Sequence, residues 1–454
     1  MNDEARGGLA GVLAVVRALE PAGHDTARVD QLRLLEELKS AAAAAQAAVT
    51  AAFASSRRAV AATAGEPVDR QDRGVASQVA LARRVSPWQA RRYVGWCAVL
   101  TRELPATFAE LRAGRVSERR AILVARETLF LSRQDRAVVD AELAGQLSGW
   151  SDRRVEAEAR RAAYRLDPAG FVDRSRAAAK DRRVSVRPAP DTMCRLTALL
   201  PVAQGVAAYA ALGRHADLTV AAGDDRGRGQ VMADTLVERL TGQASAPAVP
   251  VEVELVMTDR TLLAGDTEPA ELVGYGPIPA GIARALALAG GDGAEQDTDA
   301  PRWLRRLFRD PATGELAAME TRARTFTANQ RRFVRFRDQA RCRTPWCDAP
   351  VRHTDHVQAN AAGGRTAVDN AAGRCEACNY AKQATGWQET TTPEGAIETS
   401  TPTGHRYRSR APDPPRASEP TGHVQPARDL EPVQVGFRVR RRIVDLVYHH
   451  AHAS

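Results

Sequence analysis

The chain has 454 residues, a net charge of +9 and a sequence pI near 9.6. This length exceeds what one hydrophobic core usually organises, which predicts two or three domains and excludes a small disulfide-stapled peptide. The basic excess favours a polyanionic partner such as nucleic acid. The first residues carry Asp3 and Glu4 where a secretory signal would be basic, and the apolar stretch Leu9 to Val16 is too short to span a bilayer. We therefore expect a cytoplasmic protein that binds no membrane.

Residue types that are rare in this chain are concentrated in one segment. Arginine dominates the basic residues, since lysine occurs only at positions 39, 180 and 382, and asparagine occurs only five times. Such bias is typical of a G+C-rich genome, so the exceptions to it are informative. One of these lysines, three of the asparagines and four of the six cysteines fall between Cys342 and Lys382. We infer that this segment requires those side chains.

The first 180 residues are predicted to form a helical domain. Apolar residues recur at three- and four-residue steps from Val29 to about Ala62, which predicts one long amphipathic helix. Shorter helices are predicted at Val75–Val85, Ser86–Leu100, Leu104–Ala113 and Ser117–Glu127. The junction at residues 83–86 fits a helix-turn-helix that would expose Gln89, Arg91 and Arg92. Ordinary bundle helices with solvated arginines are the favoured alternative.

Residues 181–325 are predicted to form a small α/β subdomain of the same N-terminal region. Alternating patterns predict strands at Arg183–Arg187 and Val249–Met257, and the stretch Met193–Leu212 is predicted to be a helix. Segments rich in Gly and Asp, at 221–229 and 290–300, predict loops. Prolines at 412, 414, 415 and 420 predict a linker. A third domain is therefore expected at 326–410, followed by a linker and C-terminal tail at 411–454.

Four cysteines of the third domain are spaced as zinc ligands. Cys342 and Cys347 form a Cys-x4-Cys pair, and Cys375 and Cys378 form a Cys-x2-Cys pair. Together they supply the four soft ligands of a tetrahedral Zn²⁺ site, whereas unrelated core cysteines would not be expected in two close pairs. Because four protein ligands leave no open position for water, the predicted zinc is structural.

The residues between the cysteine pairs resemble the HNH, or ββα-metal, nuclease family over about Arg341 to Trp387. In family order they are His353-Thr354-Asp355-His356-Val357, a glycine-containing loop, Asp369-Asn370, and Asn379-x-x-Lys382 on a helix predicted from about 375 to 383. The resemblance implies a zinc-clamped ββα-metal module. With the mainly helical N-terminal domain and its α/β subdomain, this makes the expected fold class α+β.

By this resemblance each position acquires a role in phosphodiester hydrolysis. His356 is the expected general base, and Asn370 is expected to brace the loop that holds it. Asp355 and Asn379 offer oxygen ligands to one catalytic Mg²⁺ or Mn²⁺. Phosphate contacts are expected from Lys382, Arg341, Arg343 and Arg374, with solvated surface charge as the alternative for the arginines.

The whole chain is similar to bacterial HNH-signature proteins that bear domain of unknown function 222. The resemblance rests on the Leu32–Val60 helix, Ser86-Pro87, Arg187-Pro188-Ala189-Pro190-Asp191 and Trp303-Leu304-Arg305-Arg306, and it covers nearly all of residues 30–410. The expected function is a metal-dependent endonuclease acting on double-stranded DNA without a small-molecule organic cofactor. Two alternatives remain open: a non-catalytic zinc-containing DNA-binding protein, and an RNA nuclease with the same site.

Overall fold

The computed structural model describes residues 3–242, 250–263, 265–288, 302–308, 325–413 and 438–448. The chain divides into two units: unit 1 comprises Met1–Val79 and Ala90–Ala177, and unit 2 comprises Ala80–Gln89 and Ala178–Ser454. The protein is α+β, with a mostly helical N-terminal region and several small sheets, as the sequence predicts. Within the described ranges, no helix combines the length and the apolar character needed to cross a membrane.

The N-terminal region is a succession of helices. They are α1 (Asp3–Arg17), α2 (Asp25–Thr63), α3 (Val75–Arg83), α4 (Pro87–Glu103), α5 (Pro105–Arg112), α6 (Glu118–Glu127), α7 (Arg133–Leu143), α8 (Asp152–Leu166) and α9 (Pro168–Lys180). The long predicted helix is confirmed as α2, and the four shorter ones correspond to α3, α4, α5 and α6. Helices α3 and α4 meet at Arg84, whose φ is 57°. A DNA-binding role for this pair of helices stays a prediction.

Unit 1 has a hydrophobic core that successive helices share. Its least accessible side chains include Leu104, Leu111, Val124, Val139 and Val155. Three of the helices begin at serine residues whose hydroxyls accept a backbone N–H of the first turn: Ser117 before α6, Ser132 before α7 and Ser151 before α8. Such N-caps satisfy donors that the helix itself leaves unpaired, so they define where each core helix starts.

A β-hairpin and two helices follow in unit 2. Strand β1 (Arg183–Ala189) pairs antiparallel with β2 (Met193–Leu199), and helices α10 (Val202–Ala221) and α11 (Arg228–Thr241) come next. The helix predicted over Met193–Leu212 is therefore wrong in its first half. Asp191 and Thr192 adopt positive φ and return the chain to β1, while Pro201 sets the start of α10 because proline disfavours helix in the residue before it.

A five-stranded mixed sheet has the order β5-β4-β3-β12-β6. The strands are β3 (Pro250–Thr258), β4 (Ala270–Leu272), β5 (Gly276–Ile278), β6 (Arg302–Phe308) and β12 (Arg438–Tyr448), with helices α12 (Asp259–Leu263) and α13 (Ala280–Leu288) between them in the chain. The strand predicted at 249–257 corresponds to β3. Strand β12 pairs in parallel with β3 and β6. Part of the predicted C-terminal tail at 411–454 is therefore a strand of this sheet.

Residues 325–413 contain the predicted zinc and catalytic positions. Their elements are helix α14 (Ala328–Arg337), strands β7 (His353–His356) and β8 (Ala371–Arg374), helix α15 (Glu376–Lys382), and strands β9 (Gln388–Thr391), β10 (Ile397–Ser400) and β11 (Arg406–Ser409). Strands β7 and β8 are antiparallel, so strand, strand and helix follow in that order up to Lys382. Val334 of α14 packs on Val368 and Ala371 beside β8. The domain limits at 325 and 410 stay predictions, and the predicted loop at 290–300 lies outside the described residues.

Candidate functional site

The four predicted zinc ligands form one cluster. The Sγ atoms of Cys342, Cys347, Cys375 and Cys378 all lie within 4.8 Å of one another, and all four residues are buried. The sulfurs of Cys347 and Cys375 are 3.7 Å apart. A tetrahedral site with Zn–S bonds of about 2.3 Å separates its sulfurs by about 3.8 Å. None of these cysteines is in a disulfide, so the cluster can hold a zinc ion, as the spacing predicts.

Backbone geometry shapes the two halves of this cluster. Between Cys342 and Cys347 the chain turns back, and the N–H of Cys347 donates to the carbonyl of Thr344. We call residues 342–348 the knuckle. Cys375 is the N-cap of α15, and its sulfur accepts the backbone N–H of Cys378 at 3.4 Å. Hydrogen bonds among the four thiols lower the pKa of Cys342 and raise those of Cys347 and Cys378, so the cluster shares protons that zinc binding would displace.

Arg374, predicted to contact phosphate, lies buried beside the cysteine cluster. Its guanidinium donates to both carboxylate oxygens of Glu389 at 2.7 Å and to the Thr344 hydroxyl at 2.6 Å. The side chain of Arg374 is 2% exposed and that of Glu389 is 3% exposed. Burial opposes the charge, but Glu389 and the thiolates of Cys342 and Cys378 raise the pKa of Arg374 above its usual range. Because a buried bidentate pair has no access to a phosphate, we correct the role of Arg374 to a structural one.

Arg343 is also withdrawn from solvent. It donates to the carboxylate of Asp338 at 3.1 Å and to the carbonyl of Ser409 at 3.3 Å. Asp338, itself buried, accepts the backbone N–H of Gly373 at 2.7 Å. Arg343 and Asp338 thus join the knuckle to β8 and β11, and we correct the role of Arg343 as well. Arg341 is exposed and remains a candidate phosphate contact.

His356, the predicted base, ends β7 and is half-buried. Its Nε2 lies 3.0 Å from the hydroxyl of Thr366, which is buried. The ring of Phe326 packs against the imidazole, with ring centroids 4.4 Å apart. Burial lowers the pKa of His356, an effect that the charge of Asp355 opposes and that of Lys382 reinforces. In the tautomer whose Nε2–H donates to Thr366, Nδ1 is the ring nitrogen that can accept a proton.

Asn370 closes the loop between β7 and β8. Its Oδ1 accepts the N–H of Gln358 at 2.8 Å, and its Nδ2 donates to the carbonyls of Gln358 at 3.0 Å and Arg365 at 2.8 Å. Gly364 lies where the loop passes close to the backbone of Gln358. A Cβ added to Gly364 would be 1.9 Å from the Gln358 carbonyl oxygen, so only glycine fits at this position. All three hydrogen bonds are internal to the loop, so Asn370 is a positioning residue.

Asp355 contacts Lys382, a residue of the same helix as Asn379. The Lys382 ammonium nitrogen is 2.8 Å from Asp355 Oδ2 and also donates to the carbonyl of His356. Asn379 lies one helical turn before Lys382, and its Oδ1 is buried without a hydrogen-bond partner in the described part of the chain. A buried oxygen without a partner is costly unless it acquires a ligand. Carboxylate and amide oxygens are the donor types that Mg²⁺ and Mn²⁺ prefer, and one of the Asp355 oxygens already contacts the Lys382 ammonium group.

Glu389 connects this position to the cysteine cluster. On one side it pairs with Arg374, and on the other its carboxylate is 3.6 Å from the Lys382 ammonium nitrogen. Charges therefore alternate from the thiolates through Arg374, Glu389 and Lys382 to Asp355. Sequence analysis missed Glu389, because the recognised motif ends at Trp387 and no sequence signal distinguishes Glu389 from other strand carboxylates.

An open cavity of about 450 Å³ gives solvent access to Asp355 and His356. Arg331 of α14 also lines it and is exposed, so it can meet a phosphate there. Neither Arg331 nor Thr366 was singled out from the sequence. Arg331 belongs to a run of arginines that look alike in sequence, and Thr366 is ten positions from the histidine it contacts.

The fold and the site define an α+β protein with a cluster of four cysteines that could hold a metal ion. The chain belongs to the family described as "Domain of unknown function (DUF222)", whose model matches residues 32–338. That match covers well over half of the chain and ends before Cys342, so all four cysteines and His356 lie outside it. No curated protein and no solved structure matches the chain.

Proposed function

We propose that the protein is a metal-dependent HNH-type endonuclease that hydrolyses DNA phosphodiester bonds. One observation carries the proposal: an open cavity exposes Asp355 and His356 on one strand, and α15 beside it holds the unpartnered amide oxygen of Asn379. DNA binding alone requires basic residues, not a proton acceptor next to oxygen donors. The order of β7, β8 and α15 around a cluster that can hold zinc agrees with the arrangement that the sequence resemblance implies.

Hydrolysis requires that a water molecule lose a proton as it attacks the phosphate, and in this proposal His356 accepts that proton at Nδ1. Thr366 fixes the orientation of the imidazole, and the lowered pKa of His356 keeps it neutral near pH 7. Asp355 and Asn379 would hold Mg²⁺ or Mn²⁺, which when bound neutralises charge on the phosphate and the leaving oxygen. Arg331 at the cavity edge would orient a backbone phosphate, with Lys382 as a further candidate.

The cysteine cluster has a separate task in this proposal. Cys342, Cys347, Cys375 and Cys378 would hold Zn²⁺ with no position left open for water, so the ion would take no part in the chemistry and would fix the knuckle against α15. Glu389 pairs with Arg374 next to the cysteines and also contacts Lys382, which in turn contacts Asp355. These contacts would fix Lys382 and Asp355 relative to the zinc site.

Nicking of supercoiled plasmid tests the proposal. The protein should nick DNA in Mg²⁺ or Mn²⁺, and His356→Ala should lower the rate by about 10²- to 10⁴-fold, the range that a general base contributes. His353→Ala is the matched control, because His353 lies on the same strand and is exposed. DNA binding without nicking by the unmodified protein would favour a non-catalytic DNA-binding protein. Cleavage of RNA alone would favour an RNA nuclease.

A further inference from the structure

A second cavity of unit 2, of about 460 Å³, shares no lining residue with the cavity at His356. Its floor is the knuckle, and its walls come from residues 84–89 and 409–412. Three separate segments each contribute an exposed arginine: Arg84, Arg341 and Arg410. We call this surface the arginine groove.

Positive charge is in excess along the arginine groove. None of its three exposed arginines forms an ion pair with another described residue. Of its two carboxylates, Asp338 is buried and already accepts hydrogen bonds from Arg343 and Gly373. Asp348 is then the one exposed carboxylate among the described lining residues. Exposed arginines that form no ion pair are suited to phosphate groups, which they bind through paired N–H donors.

An exposed aromatic ring lies among these arginines. Trp346 is 44% exposed, and the guanidinium of Arg84 is 6.0 Å from its ring centroid. The edge of Trp346 meets Tyr407, with ring centroids 6.0 Å apart. Trp346 has a φ of 58°, an unfavourable backbone conformation for a bulky residue, and it lines the groove. Exposed arginine side chains along one open groove suit the phosphates of a nucleic-acid backbone.

We infer that the arginine groove binds the phosphate backbone of the DNA on which the His356 site acts. This inference rests on the proposed function. The groove and the His356 cavity would contact the DNA at two places, because each presents exposed arginines and neither uses residues of the other. The groove anchors the DNA and takes no part in bond cleavage.

Fluorescence anisotropy of a labelled DNA duplex tests the inference without cleavage. Zinc-loaded full-length protein is titrated over a range of salt concentrations with no Mg²⁺ or Mn²⁺ added. Each phosphate contact on B-DNA contributes about 0.9 to the slope of log K against log salt, so losing two lowers that slope by about 1.8. At 0.15 M salt, the double variant Arg84→Ala/Arg410→Ala should therefore bind about 30-fold more weakly. The variant Arg84→Lys/Arg410→Lys keeps both charges and should retain most of the affinity.

A second, charge-matched double variant tests whether a loss of DNA affinity comes from lost contacts in the groove or from the lower net charge of the protein. Arg195→Ala/Arg214→Ala removes two exposed arginines that do not line the groove, and it should leave the salt slope unchanged. An unchanged slope in Arg84→Ala/Arg410→Ala, an equal loss in the charge-matched variant, or no DNA binding by the unmodified protein would each overturn the inference. Binding that depends on the groove, without any nicking in Mg²⁺ or Mn²⁺, would sustain the inference and overturn only the proposed nuclease.

Discussion

At the scale of single residues, the imidazole of His356 is oriented by a hydroxyl that no motif includes. Thr366→Val keeps the shape of the side chain but removes the hydroxyl 3.0 Å from His356 Nε2. We expect single-turnover nicking to slow by about 10-fold, since removing a group that orients a functional side chain lowers activity by about that factor. DNA affinity and zinc content should not change. Thr366→Ser keeps the hydroxyl and should nick at nearly the original rate, so equal losses in both variants would contradict the assigned role.

Glu271 on β4 is a buried carboxyl group that titrates near neutral pH. It is 7% exposed, and burial raises its pKa to about 7, against the opposing charge of Arg341. Because this folded-state pKa lies above the ordinary value of 4.5, the protonated carboxyl stabilises the fold fully below pH 4.5. That contribution is lost as the pH rises through about 7.

Glu271→Gln removes this titration and should therefore stabilise the protein most at alkaline pH. Relative to the unmodified protein, we expect the free energy of unfolding to be higher at pH 8 by on the order of 2 kcal/mol, with a smaller gain at pH 5. Urea denaturation at the two pH values measures both differences. A gain that is the same at pH 5 and pH 8 would show that the carboxyl does not titrate in this range.

At the scale of elements, strand β9 is fastened to β8 by the buried pair of Glu389 and Arg374. Glu389→Gln removes the carboxylate that pairs with the buried guanidinium of Arg374, and breaking a buried pair costs about 3–5 kcal/mol. Glu398→Gln on neighbouring β10 is the control, because its partners Arg406 and Arg408 are exposed and such pairs contribute about 0–1 kcal/mol. Urea denaturation compares the two. Equal, small losses would indicate that the β8–β9 contact does not depend on this charge pair.

The spacing of apolar residues predicts correctly those helices and strands whose pattern fits only one kind of secondary structure. Helix α2 follows from apolar residues at helical spacing, and β3 follows from alternation. The segment 193–199 was misread because a short apolar run suits a strand or a helix equally, and its pairing with β1 decides between them. The position of β12 beside β3 and β6 could not be read from the sequence either, since parallel pairing depends on distant residues.

The candidate site was predictable to the extent that its residues are close together in sequence. The two cysteine pairs carry their own spacing signal, and the structure brings all four sulfurs together. Burial of Arg343 and Arg374 depends on Asp338 and Glu389, acidic residues whose positions relative to these arginines no sequence pattern indicates. A basic residue beside a cysteine pair therefore looks the same in sequence whether it faces DNA or fills the interior.

At the scale of the whole molecule, zinc should stabilise only part of the chain. Zinc binding in small domains contributes on the order of 10 kcal/mol to folding, and here its ligands lie in 342–378. Removal of zinc, or Cys375→Ser, should therefore raise hydrogen exchange across β7, β8 and α15 but not in α6 and α8 of unit 1. Cys194→Ser is the control, because Cys194 is exposed and lies outside the cluster. Increased exchange throughout unit 1 would contradict this division.

The DUF222 match contains most of unit 1 and strands β1 to β6, whereas every candidate catalytic and zinc-binding residue follows residue 338. A variant in the matched region can therefore be expected to change stability or DNA affinity without removing a reacting group.

Metal add-back is the most direct test of the proposed nuclease. The purified protein, carrying only its zinc, is mixed with supercoiled plasmid, and Mg²⁺ or Mn²⁺ is then added. We expect the plasmid to remain supercoiled before the addition and to be nicked after it, with unchanged zinc content. A plasmid that is bound but stays supercoiled in both conditions would contradict a nuclease site at Asp355 and His356.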